Sequence, residues 1–197
     1  MRDASENPFA CLLQKIEATA RPIGARPNRT KINIQFSKTL QKQNMTTQLE
    51  SFKIIGISVR TTNENGQASK DIPFLWNKFF EENISGNVPN KISDEIYSVY
   101  THYEKDHTKP YTTILGYKVK DSEPVPEGLV SKVIDSTNYI VFTAKGKQSE
   151  GFVFKEWQTI WNLNDELNRS FTSDFEIYGA KSQNPEHAEV DIYIAVK

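Results

Sequence analysis

From Ser51 onward, hydrophobic positions alternate between β-like and helix-like patterns. Residues 52–60 are β-rich and end at the turn-prone residues 63–66, which predicts a strand followed by a loop. Asp71 is a predicted helix N-cap, with Pro73 in the first turn and Gly86 past the end. The apolar positions of that helix, Phe74, Leu75, Phe79 and Phe80, recur at helical spacing. Extended runs at 95–103 and 111–119 complete a strand-helix-strand-strand unit.

The same order of elements repeats in the second half. Residues 129–144 are β-rich and broken at 135–138, residues 151–168 favour a helix, and residues 174–181 and 190–197 favour strands. Trp76 precedes Glu95-Ile96-Tyr97 by 19 residues to the glutamate, and Trp157 precedes Glu176-Ile177-Tyr178 by the same interval. The two halves therefore align at an offset of 81, which indicates a duplication. Neither half has enough sheet to cover its own helix, so we expect one α+β domain over residues 45–197 with a cleft between the halves.

Charge divides the chain into two parts. The 197 residues hold 24 basic and 25 acidic side chains. Eight of the basic and three of the acidic ones lie in residues 1–44, which leaves 16 basic and 22 acidic for the rest. An acidic body argues against nucleic-acid binding and favours cationic or neutral partners. No apolar run reaches 18 residues and no signal peptide is evident, so we expect a cytoplasmic protein that is not inserted in a membrane.

Residues 1–44 are predicted to be a basic, mobile extension, or to lie upstream of a natural start at Met45. A docking or targeting arm is the alternative. Cys11, the single cysteine, falls in this segment and has no partner for an internal disulfide.

Residues 174–178 carry the most informative pattern. Side chains alternate along a strand, so Glu176 and Tyr178 point to one face and Phe175 and Ile177 to the other. If the glutamate face is a cleft wall, a carboxylate and a phenol amid aromatic rings suit a flat cationic ligand. If it is the outer face of an antiparallel strand, the same pattern is ordinary solvent exposure.

Other aromatic residues leave two interpretations open. Trp76 and Trp157 lie on the apolar faces of their predicted helices, so we expect them to pack in the core and not to line a cleft. Five of the eight tyrosines fall in one predicted hairpin, where they either line a cleft or pack in the sheet. These are Tyr97, Tyr100, Tyr103, Tyr111 and Tyr117.

Conventional catalytic and metal-binding sets are poorly supported. The three histidines lack metal-ligand spacing, and the nine glycines form no phosphate-binding loop, so no metal or cofactor is expected. Glu104, Asp106 and His107 are interpreted as a solvated turn. If there is chemistry, Glu176 is the candidate general base, because a partly desolvated carboxylate has a raised pKa.

Several segments together resemble the gyrase-inhibitor-like effector-binding domain, the ligand-sensing half of AraC-type and MerR-type bacterial transcription regulators. The resemblance covers about residues 50–197. It rests on the order of Phe74-Leu75-Trp76, residues 96–104, Tyr111 to Gly116, Trp157, Asp174 to Tyr178 and Asp191 to Lys197.

The resemblance implies a duplicated strand-helix-strand-strand module that forms a curved antiparallel sheet with two main helices and a ligand groove between the halves. It implies that Glu176 lies at the base of the groove and pairs with cationic amphipathic compounds. Tyr178 follows on the same face, and Tyr193 is implied to stack on the ligand. Looser candidates for the groove walls are Phe152, Trp157, Trp76 and Tyr97.

The sequence is similar to stand-alone members of this family, which have no attached DNA-binding helices. The function that this implies is binding of a cationic or aromatic small molecule, in transcription regulation or drug sensing. One alternative is hydrolysis of strained cyclopropane-type natural products, with Glu176 as the general base. Another is modulation of a protein partner, either gyrase or a regulator.

Overall fold

The fold is known from a computed structural model, which describes residues 46–120 and 124–197. The predicted extension, residues 1–44, lies outside the described residues.

The described residues form an antiparallel sheet and three α-helices, which confirms the predicted α+β class. The helices are α1 (Ala68–Glu81), α2 (Ile84–Asn87) and α3 (Phe152–Asn162). The strands are β1 (Thr47–Leu49), β2 (Phe52–Thr61), β3 (Lys91–Thr101), β4 (Tyr111–Val119), β5 (Val130–Ile134), β6 (Thr137–Gly146), β7 (Ser173–Tyr178) and β8 (Ala188–Val196). Short 3-10 helices span Glu64–Gly66, Gln148–Glu150 and Ala180–Gln183.

The strand order shows the two predicted modules side by side. The order is β1-β6-β8-β7-β3-β4-β2-β5, and all pairs are antiparallel. One module consists of β2, α1, β3 and β4, and the other of β6, α3, β7 and β8. They join at the β3–β7 pair, so residues at this seam can serve a site shared by both halves.

The sheet curves into a half-barrel. Strand β1 lies at one end of the strand order and β2 lies next to the strand at the other end, yet only Glu50 and Ser51 join them. Such a link spans roughly 10 Å, so the two ends of the sheet must approach each other.

Each face of the curved sheet carries its own core. On the helix face, Leu75, Trp76 and Phe79 of α1 and Trp157 and Ile160 of α3 are buried together with β-strand residues. On the inner face, a second cluster of buried side chains surrounds Phe175. Its aromatic members are Phe52, Tyr97, Tyr139 and Phe175, with Tyr193 packed against them.

Both predicted helices differ from the structure at their ends. Helix α1 begins at Ala68, before Asp71, and ends at Glu81, and Gly86 lies within α2. The Asp71 carboxylate does not cap α1. Asp71 instead accepts hydrogen bonds from the Thr61 hydroxyl and the Gln67 amide. Helix α3 ends at Asn162, and residues 163–168 form turns that lead to the positive-φ residue Asn168.

The predicted alignment at offset 81 is wrong for the strand. Tyr97 pairs with Ile177 across the β3–β7 seam, and Ser98 pairs with Glu176. Directly paired residues share a face of the sheet, so Glu95 and Tyr97 face the inner cluster while Glu176 and Tyr178 face the helices. The pairing of β3 with β4 is also irregular between Lys91 and Ile96, the segment that leads into Tyr97.

Candidate functional site

A cavity lies between helices α1 and α3 and the helix face of the sheet. Its volume is about 140 Å³, and it is partly open to solvent. The lining is mainly aromatic and aliphatic, and Glu176 is the only carboxylate that the described residues contribute to it. The lining residues are Asn63, Ala68, Ser69, Ile72, Trp76, Tyr100, Tyr103, His107, Tyr111, Gly151, Val153, Phe154, Trp157, Trp161, Glu176 and Tyr178.

Strand β7 places Glu176 at the sheet side of this cavity. The residue is only 2% exposed, and its neighbours Phe175 and Ile177 face the inner cluster. The predicted alternation of side chains is therefore confirmed for residues 175–178. The glutamate is directed toward the helices and not toward bulk solvent.

Three side chains from different elements donate hydrogen bonds to the Glu176 carboxylate. Trp157 of α3 donates its Nε1–H to Oε1 at 2.5 Å, and the Tyr100 hydroxyl of β3 donates to the same oxygen at 2.9 Å. The Tyr178 hydroxyl donates to Oε2 at 2.8 Å. Of these three bonds, Oε1 accepts two and Oε2 accepts one.

Burial and hydrogen bonding act on the Glu176 pKa in opposite directions. Burial raises the pKa, because a carboxylate loses its hydration inside the protein, while the bonds from Trp157, Tyr178 and Tyr100 lower it. The net direction is upward. The pKa values of Tyr100 and Tyr178 are well above 10.0, first because of burial and then because of the Glu176 charge. Both phenols therefore remain protonated and able to donate.

No described Lys, Arg or His forms an ion pair with Glu176. This distinguishes it from Asp174, two residues earlier on the same strand. The Asp174 carboxylate pairs with the Arg169 guanidinium at 2.5 Å, and both side chains are fully buried.

Aromatic rings hold the walls of the cavity together through edge contacts. Trp76 packs edge-on against Tyr178 with ring centroids 5.0 Å apart. Trp157 packs edge-on against Tyr100 at 5.2 Å. The faces of aromatic rings attract cations.

Comparison with known proteins assigns the chain to a family. The family model described as "Integron-associated effector binding protein" matches residues 46–196. This chain belongs to that family. The match spans both modules, so the cavity between α1, α3 and the sheet lies wholly within the effector-binding domain.

Two curated relatives of this effector-binding protein are named as transcriptional regulators. YobU of Bacillus subtilis is 29% identical over 153 residues, which is 77% of this chain and 96% of YobU. BrlR of Pseudomonas aeruginosa is 27% identical over 129 residues. That match covers 62% of this chain but 45% of BrlR, so this chain corresponds to about half of that regulator.

Solved structures share the fold. The integron cassette protein from the mobile metagenome of Vibrio cholerae is 30% identical, with a TM-score of 0.61 over 78% of this chain and 95% of that chain. The structure of SAV2435 bound to tetraphenylphosphonium is 20% identical, with a TM-score of 0.64 over 78% and 93%. The second likeness concerns the fold alone.

Four of the seven residues predicted to contact a ligand meet at the cavity of this effector-binding domain. These are Glu176, Tyr178, Trp76 and Trp157. Both tryptophans are also buried in the helix-face core, so each of them packs in the core and lines the cavity.

The other three predicted residues lie elsewhere. Tyr97 and Tyr193 belong to the inner face of the half-barrel, where Tyr193 stacks on Phe175 with centroids 4.6 Å apart. Phe152 is buried in the helix-face core but does not line the cavity.

Sequence reasoning missed several lining residues. Trp161 lies one helical turn after Trp157, and this spacing was a usable signal. Within the tyrosine-rich hairpin, Tyr100, Tyr103 and Tyr111 line the cavity, whereas Tyr117 packs on Phe79.

His107 was also missed, because it falls in a turn that was interpreted as solvated. Its ring stacks on Trp161 with centroids 5.5 Å apart and an interplanar angle of 6°. Burial lowers its pKa below 6.5, and the positive charge of Arg169 adds to this effect.

None of the described helices has the length and apolar character needed to cross a membrane.

Proposed function

We propose that this effector-binding protein binds a cationic aromatic small molecule in the cavity, with Glu176 as the anionic contact, as the sensing unit of a transcriptional or drug response. The observation that carries the proposal is a buried carboxylate without a cationic partner among the described residues, facing an aromatic cavity. A charged carboxylate in such surroundings loses hydration, which destabilises its charged form. A bound cation compensates for that loss.

The hydrogen-bond pattern supports binding of a cation. The hydrogen bonds from Trp157, Tyr100 and Tyr178 stabilise the charged form of Glu176 and fix its orientation. The carboxylate is therefore preorganised before a ligand arrives, and a ligand has less ordering cost to overcome.

The ring composition supports an aromatic ligand. Three tryptophans, four tyrosines and Phe154 contribute to the lining. A cation against the face of one such ring gains roughly 0.5 to 2 kcal/mol. That SAV2435 has been solved with tetraphenylphosphonium bound agrees with this ligand class for the fold.

A pair of ions with equal shape and opposite charge tests the proposal. Titration calorimetry of the full chain should show saturable 1:1 binding of tetraphenylphosphonium and at least tenfold weaker binding of tetraphenylborate. Equal affinity for both ions would mean that shape and apolar burial decide binding, and that Glu176 does not.

Two further assays on the same protein, together with the calorimetry, separate binding from the two alternatives. Recovery of unchanged phosphonium after binding agrees with a sensor, whereas turnover of an added cyclopropane-type substrate indicates a hydrolase that uses Glu176 as general base. If neither ion binds, a protein partner is favoured.

A further inference from the structure

Strand β7 carries two buried carboxylates near the cavity, and only one of them has a cationic partner among the described residues. Asp174 and Glu176 are both buried, at 0% and 2% exposure. Asp174 pairs with Arg169. Glu176 receives only neutral donors from the described residues.

Asp174 is closely connected to the cavity through Tyr103. The Tyr103 ring lines the cavity, and its hydroxyl donates to Asp174 Oδ2 at 2.8 Å. Only the Tyr103 side chain therefore separates the Asp174 charge from a ligand in the cavity. Without Arg169, a ligand in the cavity would experience two negative charges.

Arg169 is held in its position by local structure. Its guanidinium lies over the Phe171 ring, 4.4 Å from the centroid, and Phe171 has the positive φ of 54° that is rare for a bulky side chain. The Phe171 ring also contacts Tyr103, with centroids 5.6 Å apart. This arrangement keeps the Arg169–Asp174 pair behind the wall of the cavity.

We propose that Arg169 determines the charge of the ligand: by neutralising Asp174 it leaves Glu176 as the one carboxylate that acts on the ligand without a countercharge from the described lining residues, which selects ligands with one positive charge over ligands with two. This inference rests on the proposed function. The second charge of a dication would enter an apolar, aromatic cavity without a partner and would lose much of its hydration.

Asp71 is the other carboxylate close to the cavity. Its charge acts on Tyr111, but Asp71 is not a lining residue, and its oxygens accept bonds from Thr61 and Gln67. Among the described lining residues there is no lysine or arginine, and burial favours the neutral form of His107.

Three nearly isosteric compounds with charges of zero, one and two test the inference. These are 4-methylbiphenyl, N-methyl-4-phenylpyridinium and N,N′-dimethyl-4,4′-bipyridinium. On the full wild-type chain, the monocation should bind at least tenfold more tightly than either of the others. A dication that binds as well as the monocation would overturn the inference while leaving cation binding intact. If neither cation binds better than the neutral compound, the proposed function itself fails.

Two variants test the role of Arg169. Arg169→Met should shift the ratio of dication to monocation affinity at least tenfold toward the dication, because the Asp174 charge is released. The matched double variant, Arg169→Met with Asp174→Asn, has no charge at either position and should keep the wild-type ratio within about twofold. A changed ratio in the double variant would contradict the inference, whether or not Arg169→Met folds.

Discussion

Replacing Arg169 with methionine should lower the free energy of unfolding by about 3 to 5 kcal/mol, the usual cost of leaving one member of a buried ion pair without its partner. Both side chains of the Arg169–Asp174 pair are fully buried. Asp174 also accepts bonds from Tyr103 and from the Ala195 backbone N–H, so its charge cannot turn toward solvent. Urea unfolding of the full chain measures the loss.

The matched double variant with Asp174→Asn should recover most of this stability. An asparagine oxygen still accepts from the Ala195 N–H, and its amide can donate to the Tyr103 oxygen. A double variant as unstable as Arg169→Met would indicate that lost packing around Arg169, and not the unpaired charge, causes the destabilisation.

Replacing Glu176 with glutamine should weaken tetraphenylphosphonium binding by about 1.5 to 3 kcal/mol, which is roughly 10- to 150-fold in dissociation constant. At an effective dielectric constant of about 20, a unit charge about 5 Å from the carboxylate gains roughly 3 kcal/mol, and desolvation offsets part of this gain. Glutamine keeps the shape, and its oxygen can still accept from Trp157 and Tyr100. Calorimetry of both proteins measures the difference.

Glu95→Gln is the matched control. Glu95 was predicted to be the counterpart of Glu176, but it lies on the inner-face side of strand β3. Its replacement should leave the affinity within about twofold of wild type. Equal losses from both substitutions would assign the effect to the general charge of the domain.

The Glu176→Gln variant should also be more stable than wild type in the absence of ligand. The folded-state pKa of Glu176 is raised by burial. A group with a raised pKa contributes stability that is fully present below its unfolded value, here 4.5, and that is lost as the pH rises through the folded value. The advantage of the variant should therefore be absent below about pH 4.5 and should grow toward neutral pH. Thermal unfolding at several pH values checks this trend, and a variant less stable than wild type at pH 7 would contradict it.

The order of the elements could be predicted because each element has a local signal. The repeated strand-helix-strand-strand pattern follows from periodicity and turn residues alone. For the same reason, the alternation of residues 174–178 predicted that Glu176 and Tyr178 share one face, but it left open whether that face lines a cleft or meets solvent. Helix ends were less accurate, since Asp71 bonds to Thr61, a residue on a preceding strand.

The parts of the site that depend on long-range geometry could not be predicted. The face of Tyr97 depends on a register irregularity within β3, which no single residue signals. His107 reaches the cavity because Asn63 donates to its backbone oxygen at 2.8 Å and thereby anchors the loop. The Arg169–Asp174 pair requires a turn that contains the positive-φ residues Asn168 and Phe171.

Intrinsic fluorescence gives the most direct test of whether this cavity is the effector site. The chain has three tryptophans, and Trp76, Trp157 and Trp161 all line the cavity. Titration of the full chain with tetraphenylphosphonium should change the tryptophan emission in a saturable way, with the same dissociation constant that calorimetry gives. Calorimetric binding without any change in tryptophan emission would place the ligand elsewhere and contradict the account.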